Sequence, residues 1–388
     1  MRPVLYSVLT IVAACMLICV VLSVVGSTGF RLETIALAIG AALLPTLAYG
    51  ALILWIDRFE PESWELRGLT FFWGAVIAVF LALIFNTTAF SIFVALSDPD
   101  TGAILTAVIS APLVEESAKG LLVLIVLMVT RKHIDGMLDG LVLGALVGLG
   151  FAMTENVMYF GQAYDAGGVS SVGALFVVRS LINGLGHAVW ASFTGAAIGW
   201  ARDRHGRGVL RAIVPVIGWG AAVLGHAVWN LGASIVIGVL SVGFERVFWL
   251  ADWQALILAG LIGGLPFSVP PLLTALIFVL LGREQEERVV RQFLPIEVGL
   301  GTLTQAEAAT VASPAERRTA LREAREMGGK AAWKQQREFN LIATRLAFFH
   351  YHAIRGERPY LPEIRRAEQL RWQLSALRWS MLNASTNA

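Results

Sequence analysis

The chain has 388 residues, of which 56% are hydrophobic and only 15% charged, with a mean hydropathy of +0.69. Soluble domains carry about 25% charged residues, so an ordinary soluble fold is excluded and an all-α, polytopic bundle of transmembrane helices is expected. The formal net charge is only +2, yet more than half of the Lys and Arg follow residue 282.

Cys15 and Cys19 are the only cysteines, and both lie inside the first apolar run, so neither a disulfide framework nor a thiolate metal site is available. That run begins after Arg2 and continues through Val25, which reads as an uncleaved first span rather than a secretory signal. Eight spans follow from hydropathy, at 4–26, 34–56, 69–95, 102–130, 137–161, 173–200, 211–238 and 256–281. Arg58 and Arg67, Arg131 and Lys132, and then Arg202, Arg204, Arg207 and Arg211 fall in alternate loops, while the loops between them are poor in base. Both termini are therefore expected in the cytoplasm.

Span three is interrupted by Asn86-Thr-Thr88, and 239–255, with Phe244, Phe248, Trp249 and Trp253, reads as an interfacial segment with aromatic anchors. Glycines 140, 144, 148 and 150 form a small-residue stripe suited to close helix approach. Pro266, Pro270 and Pro271 predict a kink in span eight. The chain divides into a membrane domain, 1–282, and a basic cytoplasmic tail, 283–388. In the tail, Thr304-Gln-Ala-Glu307 and Ser313-Pro-Ala-Glu316 read as helix-capping boxes. Further helices are expected near 331–354 and 361–382, lying either against the anionic leaflet or free in solvent.

Four consecutive spans carry residues that apolar helices avoid. Span four holds Glu115, Glu116 and Lys119; span five Glu155 and Asn156; span six Arg179, Asn183 and His187; span seven His226 and Asn230. Each acidic side chain near the bilayer centre costs roughly 2.5–3.5 kcal/mol on insertion scales, so such residues are functional candidates. At a rise of about 1.5 Å per residue, Glu115, Glu116, His187 and His226 fall roughly 20–22 Å from the ends of their spans, at a common depth. Glu155 and Asn230 lie somewhat nearer the outer surface.

Blander roles exist for each. Lys119 neutralises a glutamate, Arg179 snorkels outward, and Asn156 and Asn230 hydrogen-bond between helices. His133, His205, His350 and His352 lie in loops or the tail.

Imidazoles and carboxylates are the ligand set of a catalytic zinc with an open water position, beside which a second glutamate serves as general base. The same residues also suit metal-free hydrolysis, with a buried glutamate activating water, or, in another class altogether, a proton-coupled transporter or channel. No inverted repeat of broken helices supports the transporter. His-Glu-x-x-His, Gly-x-Ser-x-Gly and Walker motifs are all missing. Glu115 precedes Lys119 by four residues, the favourable order for a helical ion pair. Glu115 is therefore expected to support and Glu116 to act.

Several segments in combination resemble the PrsW-type intramembrane proteases, related to the CAAX-prenyl-protease and bacteriocin-processing superfamily. They are Asp57-Arg-Phe-Glu-Pro-Glu62, Pro112-Leu-Val-Glu-Glu-Ser-Ala-Lys119, the stretch Asp139–Asn156 ending Phe-Ala-Met-Thr-Glu-Asn, the His187 segment, and His226-Ala-Val-Trp-Asn230. In the wider superfamily Phe151 would be followed four residues on by His; here the residue is Glu155. The resemblance implies peptide-bond hydrolysis in or beside a bacterial plasma membrane, on a single-pass membrane protein or peptide such as an anti-sigma factor. It further implies Zn2+ held among Glu116, Glu155, His187 and His226, with Glu115 and Asn230 in the catalytic group.

Overall fold

The computed structural model describes residues 2–27, 29, 31–129, 134, 136–203, 208–354 and 361–386. The expected loop residues Arg131, Lys132, His133, Arg204, His205 and Arg207 lie outside the described residues. The chain forms two compact units, one comprising Met1–Asp57 with Glu62–Val279, the other Arg58–Pro61 with Leu280–Ala388. The described residues are almost entirely helical, without strands.

In the membrane unit, α1 is Arg2–Ser27, α2 is Leu32–Ile56 and α3 is Trp64–Leu96. Helix α4 covers 99–129, α5 137–166, α6 169–182 and α7 Gly186–Asp203. Helix α8 is Leu210–Phe248, and α9, Asp252–Gly299, continues beyond the unit. By length and composition, five described helical stretches suffice to cross a membrane: α2, α3, Met137–Asp203, α8 and α9. The stretch Met137–Asp203 is interrupted twice. Gly168, at φ 67°, takes a left-handed conformation open to glycine at no steric cost and separates α5 from α6. A turn at 183–185 separates α6 from α7.

Helix α5 is buried from Leu138 through Ala152 and forms the axis of the unit. Its glycine stripe explains how other helices come so near. A Cβ on Gly140, Gly144 or Gly148 would lie 2.1, 2.4 or 2.2 Å from the carbonyl oxygens of Gly195, Ala191 or His187. Only hydrogen at these positions allows α7 to pack backbone to backbone on α5, and Gly148 thereby sets the height of His187.

Two helices run beyond the spans read from hydropathy. Helix α8 stays helical into the region 239–255, through Phe248, before Trp249 turns left-handed at φ 51°. The helix that carries span eight contains a π-helical segment, Gly260–Gly264, before its prolines and continues to Gly299.

The C-terminal unit contains the end of α9, then α10 (Gln305–Ala312), α11 (Pro314–Ile354, broken at Gly328-Gly329) and α12 (Leu361–Thr386). The Thr304 box forms as expected: Thr304 Oγ1 accepts from Glu307 N–H at 3.2 Å, and Glu307 Oε2 accepts from Thr304 N–H at 2.7 Å. Ser313 Oγ caps α11 by accepting from Glu316 N–H at 3.3 Å. Phe293, Leu294, Leu346, Ala347 and Leu374 close one apolar core. Buried Glu297 is bound within the unit by His350 Nε2 at 2.7 Å and by Arg371 at 2.7 and 3.0 Å. The bland expectation for His350 therefore becomes a specific structural one.

Candidate active site

Helix α4 carries Glu115, Glu116 and Lys119 within little more than one turn, after a π-helical segment, Thr106–Ser110. All three side chains are buried. Lys119 Nζ lies 2.7 Å from Glu116 Oε1 and 3.5 Å from Glu115 Oε2. Lysine thus pairs more closely with the residue three positions back than with the one four back. It also donates to His187 Nδ1 at 2.9 Å and stands 4.0 Å from the centre of the Phe151 ring.

An ammonium can only donate. His187 Nδ1 must therefore accept, leaving its proton on Nε2, which faces Glu155 Oε2 at 2.9 Å. Glu155 is held in turn by Arg179 at 2.5 Å. Arg179 also donates to Asn156 Oδ1 at 2.8 Å and covers the Tyr159 ring at 3.8 Å. It points inward to an ion pair rather than snorkelling.

His226 Nδ1 meets Glu116 Oε1 at 3.0 Å. The carboxylate accepts, so Nδ1 carries the proton and Nε2 keeps its lone pair. A carboxylate behind one imidazole nitrogen is the usual device for presenting the other to a metal. The His226 ring stacks on Trp190 at 4.4 Å and stands edge-on to His187 at 5.0 Å. Asn230 is the outlier among the expected site residues: it lies in a π-helical segment, Trp229–Ala233, and donates to the Ala107 carbonyl at 2.8 Å.

These residues bound a cavity of about 1010 Å³. Its wall includes Glu115, Glu155, Arg179, His187, His226 and Asn230, but not Glu116. Hydropathy and periodicity could locate the adjacent glutamates; only packing distinguishes them. Asn86 and Trp190 also line the cavity, and as lone residues in apolar helices they carried no catalytic signal. The Asp57–Glu62 segment contributes nothing to this wall; Asp57 instead pairs with Arg67.

Ligand atoms of Glu115, His187 and His226 lie within 4.8 Å of one another, a grouping that could hold a metal ion. Two further observations fit such an ion. Among the described residues, Glu115 Oε2 and Glu116 Oε2 are buried without a hydrogen-bond partner. Three glutamates also face only two cations, Lys119 and Arg179, leaving an excess of negative charge for a cation to balance. This grouping contains Glu115 with both expected histidines; Glu116 meets His226 Nδ1, and Glu155, also on the cavity wall, meets His187 Nε2.

A helical membrane bundle enclosing buried carboxylates and imidazoles around a cavity has the groups that a membrane-embedded hydrolase needs. Residues 62–260 match the family model of the PrsW family intramembrane metalloprotease, and with more than half of its length matched the chain belongs to that family. It is thus a peptidase, a multi-pass membrane protein acting on protein substrate in a bilayer environment. No curated protein and no solved structure matches the chain.

Proposed function

We propose that the protein hydrolyses a peptide bond of a single-pass membrane protein, such as an anti-sigma factor, in the bacterial plasma membrane, and that Glu115 is the carboxylate that acts. The observation carrying this is the buried Glu115 Oε2, on the cavity wall without a hydrogen bond and with only the Lys119 ammonium 3.5 Å away. Glu116, fully buried and tied to Lys119 and His226, takes the supporting role. This reverses the roles that the Glu115–Lys119 spacing suggested.

Glu115, His187 and His226 would hold the ion, which we take to be Zn2+. When bound it would supply Lewis acidity to a peptide carbonyl and to water. Glu116 accepts a hydrogen bond from His226 Nδ1–H and so directs Nε2 into the cavity. Lys119 compensates the charge of Glu116 and holds His187 through Nδ1. Glu155, clamped by Arg179, accepts from His187 Nε2. For His187 to bind the ion, one of these two partners must be released. Asn230 braces α4 through Ala107.

Catalysis is assigned to 1–282, read as eight spans with both termini cytoplasmic, and the tail 283–388 to a cytoplasmic appendage. In that orientation the cavity extends outward from Glu115 along Asn86, Phe90, Ala103, Gln162 and Ser234. The test combines metal analysis of purified wild type and His187→Ala with cleavage by Glu115→Gln and Glu116→Gln. Stoichiometric zinc that is lost in His187→Ala is expected, with Glu115→Gln inactive. Full cleavage by Glu115→Gln overturns the assignment.

A further inference from the structure

We propose that Asn86, locked in place by Ser110, is a positioning residue that sets the Glu115 carboxylate for reaction; this rests on the assignment of Glu115 above. In the sequence Asn86 is only a polar interruption of an apolar span. In the structure it is the one described side chain from another helix within hydrogen-bonding reach of Glu115: its Nδ2 lies 3.5 Å from Glu115 Oε1. Its Oδ1 accepts from Ser110 Oγ at 2.8 Å.

Ser110 behaves unlike its neighbours. Thr88, Thr106 and Ser117 each bond the carbonyl four residues back on their own helix, at 2.8, 2.7 and 2.6 Å. Ser110 ends the π-helical segment, where the Thr106 carbonyl is taken by the Ala111 N–H. Its hydroxyl crosses to α3 instead. That donation fixes which way the amide faces: Oδ1 toward the hydroxyl, NH₂ toward the carboxylate. The flipped amide would point Oδ1 at Glu115 Oε1, oxygen against oxygen.

The consequence lies on the other carboxylate oxygen. With Oε1 turned toward Asn86 on α3, Oε2, which makes no hydrogen bond and has only the Lys119 ammonium of its own helix 3.5 Å away, is held in one orientation. A reacting carboxylate left to rotate would lose part of its pre-organised geometry. The π-helical segment thus has a definite use, releasing one hydroxyl from its own helix to anchor the amide that orients Glu115.

The test uses the full-length protein in lipid nanodiscs, with a quenched-fluorescence reporter carrying one membrane-spanning segment that the wild type cleaves. Asn86→Leu is expected to lower kcat about tenfold with KM within about twofold, and to weaken Zn2+ binding, measured by chelator competition, by about tenfold. Ser110→Ala, a milder change that keeps the inference testable if Asn86→Leu fails to accumulate, should lower kcat about threefold. Ser110→Thr, which keeps the hydroxyl, should restore it. Wild-type kcat and Zn2+ affinity in Asn86→Leu, a rise in KM alone, or a Ser110→Thr no better than Ser110→Ala would each overturn the inference. An inactive Glu115→Gln beside an unimpaired Asn86→Leu removes only the positioning role. An active Glu115→Gln removes the underlying assignment.

Discussion

Glu297 in the C-terminal unit and Glu115 in the membrane unit are both buried carboxylates close to histidine and a cation. Their oxygens differ. Both oxygens of Glu297 accept from Arg371, and Oε1 also from His350, so neither oxygen lacks a donor. Glu115 has one oxygen near Asn86 and the other on a cavity wall without a hydrogen bond, 3.5 Å from Lys119. A satisfied buried ion pair is a strut, whereas a buried carboxylate with an orphan oxygen and open volume beside it is poised for a ligand. Residue types alone would have ranked the two alike.

The largest effect should come from removing the Glu115 carboxylate or a histidine beside it. Glu115→Gln or His226→Ala is expected to reduce cleavage per molecule by on the order of a thousandfold, while Glu297→Gln leaves it within about twofold. Reporter cleavage normalised to membrane-inserted protein measures both.

Glu297→Ala, by contrast, should destabilise the C-terminal unit by about 3 kcal/mol, because Arg371 and His350 lose their shared acceptor. Limited proteolysis of residues 280–388 would register this. Burial by itself would raise the Glu297 carboxyl, but hydrogen bonds from His350 and Arg371 outweigh it and hold the group at about 2, against an ordinary 4.5. A carboxyl lowered by folding stabilises fully above its unfolded value. That contribution, ~3 kcal/mol, is lost as pH falls from 4.5 toward 2. The same proteolysis series, run across that range, should show the loss in wild type and little of it in Glu297→Ala.

Gly148→Ala tests the packing beneath the site. Its Cβ would stand 2.2 Å from the His187 carbonyl, so a cost of about 1–3 kcal/mol and a several-fold loss of kcat are expected. Thermal unfolding and kinetics read the two effects separately. Asn230→Ala should be smallest, about 0.5–1 kcal/mol for one interhelical bond, visible only as a small shift in Tm. If Asn230→Ala instead matched Glu115→Gln, Asn230 would join the reacting group and the distinction between strut and site would need redrawing.

Much of this organisation was legible in the sequence because hydropathy and helical rise are one-dimensional. They located the helices bearing Glu115, Glu155, His187 and His226, whose side chains meet at one cavity, and the close-packing role of the glycine stripe. The capping boxes at Thr304 and Ser313 were local too, each confined to four residues. Where helical character stopped was less legible: α9 extends to Gly299 because its polar second half packs Val290, Phe293 and Leu294 into the C-terminal core, a partner that no window along the chain contains.

The sequence by itself determined an all-helical membrane protein with carboxylates and imidazoles on neighbouring apolar helices, since period and hydropathy belong to each helix separately. Tertiary structure alone decided which of two adjacent glutamates faces the cavity, that Arg179 turns inward to Glu155, and that Ser110 reaches Asn86. Rotation about a helix axis and the shifts introduced by π-helical segments are set by contacts between helices. Residues far apart in the chain make those contacts, and no spacing rule along one helix encodes them.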